Sequence, residues 1–575
     1  MKTLSAAVDH RSFIASCSLV SLLLTGIPAE AVEPNHDCPV TVVRAYFDDP
    51  GMVPLGTRWT DTWEINRSEG YLVVEVDDRD LSRLEDSGFE VVVDDDLTAL
   101  RCEPRLRLKG QKSGIVGLPC YRTVDETFAD VEGLVSRFPD LAEWIDIGDS
   151  WEVDSGWEHG FEGDDLMVLK LGNRLTPGVG TPAAPESKPI LFVQGSIHAR
   201  ECPAPELLTR FAEGLLEDYG TDADATWILD EHEIHLLLFL NPDGRRRAEL
   251  GSWWRKNANN NHCTGTDTRG IDLNRNFEFQ WNCCGLSSTD ECDLTYHGIG
   301  GASEPETRAV QDYLRTIFPD QWTPEPPDDA TGVFIDLHSY SREIYWPWLH
   351  TLTAAPNRSA LTTLGKKLAF FNSYEPVGAL IALDGAAIDF AYGDLGVASY
   401  LFELGTAFFQ DCERFETRIL PDNLRALRYA AKVVRTPYAT PSGPDITSLG
   451  FPGGPRLYGG QLLDITGRAS DAGYETSNGS EPFQDVVSVR VSVDRPPWHP
   501  EPGRSWKMLP SDGAYDSPTE AVNLELDTSG LTAGRHTLFA RAKDADGNWG
   551  PVSAEFFWIT GTDGGIRQAG GRAMP

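Results

Sequence analysis

Four apolar runs in the middle of this chain each deliver a polar side chain at their carboxyl end, and this limits the fold more than any other feature. Residues 189–194 lead to His198, and residues 233–240 lead to Asn241-Pro-Asp-Gly244. Residues 332–337 lead to His338, and residues 397–402 lead to Glu403. Short, nearly unbroken apolar runs of this kind are read as strands buried on both faces. Helical patterns such as 205–216 lie between them, and the alternation of the two is the mark of an α/β sheet. Open α/β sheets gather ligand-binding groups beyond the carboxyl ends of their strands, where these polar residues fall.

At 575 residues the chain is too long for one ordinary domain. The α/β unit spans 118–437. Before it, residues 32–112 read as a small α+β segment. Tyr71–Val76 is a predicted strand, Asp80–Gly88 a short helix ended by glycine, and Phe89–Val93 a second strand. The segment closes on a basic cluster of Arg101, Arg105, Arg107, Lys109 and Lys112. A flexible basic connection suits proteolysis, so the segment reads as a removable pro-domain or as a permanent accessory domain. After the centre, Pro437, Pro441 and Pro444 mark a linker. Residues 445–560 then alternate apolar and polar in short runs, as in Val486–Val493 and His536–Ala542, the texture of an immunoglobulin-like β-sandwich. The glycine-rich end, 561–575, reads as a disordered tail.

Residues 1–31 read as a signal peptide. Lys2 and Arg11 flank a short polar start, Ser12–Ile27 is mostly apolar, and Ala29 and Ala31 are small residues at the positions a signal peptidase reads. The expectation is a secreted or periplasmic protein cleaved near Ala31, with no membrane span because no later run reaches about 20 apolar residues. The net charge of −39 repels phosphates, excludes nucleic acid as a partner, and keeps an exported monomer soluble. Export also makes disulfides expected, and Cys263, Cys283, Cys284 and Cys292 crowd into one stapled loop. No paired CxxC motifs occur, so a cysteine-held structural zinc is not expected. Asp77-Asp78, Asp94–Asp96 and Asp328-Asp329 are candidate Ca2+ ligands but lack an EF-hand pattern, and read as solvated loops.

His198-Ala-Arg-Glu201 sets an imidazole and a carboxylate one helical turn apart, so both reach one ion. Nitrogen and oxygen ligands of this kind suit zinc. Alone, His-x-x-Glu is a weak signal. Here it is followed in order by Asn241-Pro-Asp-Gly244, Trp254-Arg-Lys256, Asp272-Leu-Asn-Arg-Asn-Phe277, His338-Ser-Tyr340 and Phe402-Glu-Leu404. As a set these motifs resemble the carboxypeptidase A and T family of zinc metallocarboxypeptidases across 118–437.

The resemblance implies a mixed open sheet with helices on both faces and one Zn2+ held by His198, Glu201 and His338. It also implies that Glu403 is the general base and that Arg255 polarises the scissile carbonyl, with Asn274 and Arg275 clamping the substrate's terminal carboxylate. A carboxylate suits proton shuttling, and a planar guanidinium suits an oxyanion or a carboxylate. The expected partner is therefore a peptide or protein C-terminus. Tyr340 would contact the substrate. Ile388, Ala386, Leu383 and Leu401 align with the pocket for the terminal side chain, and all are apolar. Burying an apolar side chain gains about 25 cal/mol per Å², so bulky apolar or aromatic ends are expected. Asp384 beside Gly385 is read as a turn residue rather than a pocket acid. The family's mobile tyrosine falls at Ile381 in this chain, with Tyr374 and Tyr345 as candidate replacements. Two other readings stand beside this one: a cell-wall peptide hydrolase of the same fold, and a catalytically impaired secreted binding protein.

Overall fold

A computed structural model describes residues 40–562, apart from 157–162, 186, 265–267, 323, 380–381 and 502. The signal-peptide reading, most of the tail and Ile381 lie outside the described residues.

The centre is an eight-stranded mixed sheet. Its strands are β5 (Ala142–Asp149), β6 (Asp165–Leu171), β7 (Ile190–Gly195), β8 (Glu233–Leu237), β9 (Val333–His338), β10 (Glu343–Tyr345), β11 (Glu375–Gly378) and β12 (Ala398–Glu403), in the order β11-β10-β12-β9-β7-β8-β6-β5. The β12, β9, β7 and β8 core is parallel, and antiparallel pairs flank it. Successive side chains of a strand face opposite ways. Leu191, Val193, Ile335 and Leu337 therefore join one apolar cluster with helices Pro203–Asp218, Arg358–Asn372 and Leu420–Val433. Phe192, Phe334 and Leu401 face the other way, against helices Pro305–Ile317 and Ala387–Leu395. Both faces are thus covered, as the unbroken apolar runs require. This is the metallocarboxypeptidase-like α/β arrangement.

Preceding it is a four-stranded antiparallel sheet, β1 (Thr41–Tyr46), β2 (Asp61–Asn66), β3 (Tyr71–Val76) and β4 (Glu90–Val93), in the order β2-β3-β1-β4. Asp77 caps helix Asp78–Asp86 and Asp94 caps helix Asp95–Cys102, each accepting from a backbone N–H three residues on. Capping explains these aspartates without calcium. One face of the sheet, with Val42, Trp63, Tyr71 and Val73, packs on Phe408, Trp253 and Tyr340 of the central unit. Trp63 and Trp253 stack with ring centroids 5.3 Å apart.

Beyond residue 445 two sheets, of four and five strands, share one core that includes Leu463, Ile465, Val489, Val491, Leu526 and Phe557. The proline stretch before them is ordered rather than loose. Pro441 is buried in a 3-10 turn and its carbonyl accepts from Tyr474 OH at 3.1 Å. Lys367 Nζ lies 2.7 Å from Asp445 Oδ2, and Trp498 packs on Trp227 beneath the Arg435 guanidinium.

Three disulfides join described residues: Cys120–Cys412, Cys263–Cys292 and the adjacent pair Cys283–Cys284. The stapled-loop expectation holds for the last two. Cys202 is a buried free thiol.

Candidate metal centre and active site

The metal residues meet because three neighbouring strands end at one rim. His338 is the last residue of β9 and Glu403 the last of β12, and the two stand opposite each other in register. His198 follows β7 by a tight turn, and Glu201 stands one residue ahead of Cys202, the N-cap of helix Pro203–Asp218. His198 Nδ1 lies 2.8 Å from Glu201 Oε1, and His338 Nδ1 lies 3.2 Å from Glu201 Oε2. One ligand atom from each of the three falls within 4.8 Å of the others, and all three residues are buried.

The second nitrogen of each ring is held from behind. His198 Nε2 is 3.0 Å from Asp272 Oδ1, and His338 Nε2 is 2.9 Å from Asp336 Oδ2. Carboxylates in this position fix the tautomer and raise imidazole basicity, the usual support of a metal-binding histidine. Burial opposes charge on His338, but Asp336 and Glu201 hold its pKa well above the ordinary value. Burial also opposes charge on Glu201, yet the two imidazoles keep it ionised below the usual carboxylate range. A buried carboxylate between two Nδ1 atoms fits a dication of the zinc type better than an apolar packing role.

Glu403 lines the same cavity, and its buried Oε2 has no hydrogen-bond partner among the described residues. Burial raises its carboxyl to about 8; His338 opposes the shift, and Glu201 and Glu343 add to it. Asp272 is the hub behind His198. It accepts from the Asn274 backbone N–H at 3.0 Å and from Arg255 Nη2 at 2.9 Å, and Arg275 Nη1 lies 3.7 Å away. Asn274 Oδ1 in turn accepts from the Ala387 N–H at 3.0 Å. Gly385, at φ +69°, packs so closely that a Cβ would lie 2.5 Å from the Arg275 carbonyl oxygen, so only glycine lets that turn approach.

The cavity, about 120 Å³, is lined by His198, Glu201, His338, Glu403, Arg255, Asn274, Arg275, Tyr340, Leu383 and Leu401. Ile388 and Ala386 are fully buried behind this wall, in the cluster that contains Leu401, and do not line it. Asp384 is buried away from the cavity and organises the neighbouring loop, accepting from the N–H groups of Cys284 and Leu286 and from Ser287 Oγ. Tyr374, a candidate for the missing tyrosine, is locked by Asn423 and the Gly405 N–H. Tyr345 is fixed in the wall, its hydroxyl donating to Glu343.

Sequence reasoning misses five residues: Asp272 and Asp336, then Glu343 in the cavity wall, and the buried pair of Arg200 with Asp61. The first two carried a signal. Asp272 lies inside the quoted Asp-Leu-Asn-Arg motif, and Asp336 stands two residues before His338 on one strand, hence on the same side. Asp61, from the preceding sheet, carried none.

The family model for zinc carboxypeptidases matches residues 128–421, which takes in every candidate metal donor and rim residue above. The chain belongs to the zinc carboxypeptidase family. Among family members, carboxypeptidase A2 of Rattus norvegicus is 29% identical over 311 residues, 52% of this chain and 66% of the relative. Carboxypeptidase B of Helicoverpa zea is 30% identical over 286 residues, 47% of this chain and 58% of the relative. The chain thus spans less than two thirds of either relative's length. The crystal structure of carboxypeptidase A from Helicoverpa armigera shares the fold, with a TM-score of 0.53 and 20% identity, over 70% of this chain and 97% of that one. Zinc is the family's metal, and the donor set fits it. No described helix is long and apolar enough to cross a membrane.

Proposed function

We propose that this protein is an exported zinc carboxypeptidase that hydrolyses single residues from peptide C-termini. One observation carries the reading: a single cavity joins the His198, Glu201 and His338 donor set to an unpartnered Glu403 carboxylate and to the Arg255, Asn274 and Arg275 cluster. His198, Glu201 and His338 would hold the metal. Zinc bound there supplies Lewis acidity, polarising a carbonyl and making hydroxide available near pH 7. Glu403 takes the proton of the attacking water and returns it to the leaving amine, a task suited to a carboxylate oxygen with no other partner among the described residues. The Arg255 guanidinium faces the oxygen on which charge develops. Arg275 and the Asn274 amide clasp the free terminal carboxylate, which makes the enzyme measure from a chain end. Leu383 and Leu401 give the terminal side chain apolar contacts.

The sheet formed by β1–β4 acts as a pro-segment in this reading. Thr57, Thr60, Thr62, Trp63, Glu64 and Ile65 line the cavity together with the metal residues, so the substrate path passes the first unit. The two sheets after residue 445 act as an immunoglobulin-like accessory domain.

The test is turnover of blocked dipeptides ending in Phe, Leu, Arg or Glu, with and without a chelator. Chelator-sensitive release of a terminal residue is expected. Absence of such release from every substrate, before and after removal of the first unit, would refute the reading.

A further inference from the structure

Strand β10 places a second carboxylate beside the general base. Glu343 pairs in register with Glu403 on β12, and Tyr345 pairs with Leu401, so each pair presents its side chains to one face. Both β10 residues line the cavity, and Tyr345 belongs to the same apolar cluster as Leu349, Ile388 and Leu401. The Glu343 residue is only 8% exposed. Its Oε2 accepts from Ser341 Oγ and from the Tyr345 hydroxyl. Its Oε1 meets a cation that does not belong to the central unit: Arg67 Nη1, 3.8 Å away, at the end of the β2 hairpin.

A carboxylate in a mostly apolar wall is costly unless a positive partner reaches it. Ser341 and Tyr345 donate hydrogen bonds but carry no charge. Arg67 supplies the charge here, and it leaves with the first unit. Oε1 is then left without a charged partner, on a residue that still lines the cavity.

We propose that Glu343 is a specificity-determining residue that takes the ammonium or guanidinium of a terminal Lys or Arg; this rests on the carboxypeptidase reading above. The stem of such a side chain is apolar and packs on Tyr345, Leu349, Leu383 and Leu401, while its tip meets the Glu343 carboxylate from the cavity side. Glu343 therefore narrows the apolar preference argued from Leu383 and Leu401 to side chains apolar along their length and cationic at the end. A purely apolar side chain of the same length leaves the carboxylate without a charged partner. Sites built to pair a polar group reject an analogue that lacks it far more strongly than apolar pockets reject a missing methylene.

The experiment compares two blocked dipeptides that differ only in the terminal residue, lysine or norleucine, which share a four-carbon stem. The enzyme is the chain nicked by trypsin, freed of its first unit in acid, and returned to neutral pH with zinc. Lysine is expected to exceed norleucine in kcat/KM by about tenfold or more, and Glu343→Gln is expected to bring the ratio to about one or below. Equal or better turnover of norleucine by the unmutated enzyme overturns the proposal, whether or not the variant folds. So does a preference for lysine that appears only at the penultimate position. Release of neither residue, nor of Phe or Leu, instead overturns the carboxypeptidase reading and this proposal with it.

Discussion

Asp61 Oδ1 lies 2.6 Å from Arg200 Nη2, and both side chains are about 1% exposed although they come from different units. The same oxygen stands 3.7 Å from Arg255 Nη1. Two guanidinium groups of the active-site region are therefore engaged by one carboxylate of the preceding sheet. Breaking a buried pair by removing one partner typically costs about 3–5 kcal/mol. Asp61→Ala should loosen the first unit, lower the melting temperature of the intact chain and raise its basal turnover. A variant that melts earlier with no gain in turnover would separate the contact from inhibition.

The same pair sets a pH dependence. Burial works against the Asp61 charge, but Arg200 and Arg255 outweigh it and hold the carboxyl below its usual range. A depressed carboxyl contributes stability above its unfolded pKa of about 3.9 and loses it as pH falls through the lower, folded value. The first unit should thus stay docked at neutral pH and release only in acid below about 4. Gel filtration of the trypsin-nicked protein across that range measures it.

Trypsin should nick the chain between its first two units. Arg107, Lys109 and Lys112 are exposed in the segment that follows helix Asp95–Cys102, whereas Arg105 is tucked against the Phe409 ring. Mass spectrometry should find early cleavage after Arg107, Lys109 or Lys112, with a several-fold rise in turnover once the nicked first unit has been released in acid and the remainder returned to neutral pH with zinc.

Glu403→Gln removes the proposed proton shuttle without touching the donor set. Turnover should fall by about 10²–10⁴-fold while the zinc content, read by atomic spectroscopy, stays near one per chain. In contrast, His198→Ala or Glu201→Gln should lose the metal itself.

Arg275→Ala should raise KM for a free C-terminus by about 10–100-fold, the effect of losing a charged hydrogen bond of about 1.5–3 kcal/mol. Substrates with an amidated end should be poor for both proteins, and a variant that still discriminates against them would remove Arg275 from the clamp.

The strands of the central sheet were legible because both faces are covered, which forces long apolar runs that end at polar rim residues. The metal donors were legible for the same reason, as they sit on those rims. Ile388 and Ala386 show where this stops. Alignment with pocket positions says which segment forms a wall, but whether a side chain faces the cavity or lies behind it depends on packing between helix Ala387–Leu395 and β12. Glu343 was missed on different grounds. Its importance comes from lying across from Glu403, 60 positions away in the chain and joined to it only by strand pairing. Asp61 was invisible because its partners belong to another unit. The proline stretch at 437–444 looked like a linker by composition, whereas Tyr474 and the buried Pro441 make it part of a fixed junction.

The Cys120–Cys412 bridge closes a loop of 292 residues around the central unit. Under tension between the first unit and the two C-terminal sheets, load would enter at Cys120 and leave at Cys412. Once the docking contacts at Arg200 and at Lys367 have yielded, the covalent path runs through one disulfide and the short stretch 413–445 and bypasses the backbone of the eight-stranded sheet. The rim that carries His198, His338 and Glu403 lies inside that closed loop, so a pull on either end leaves the spacing of its strand ends unchanged.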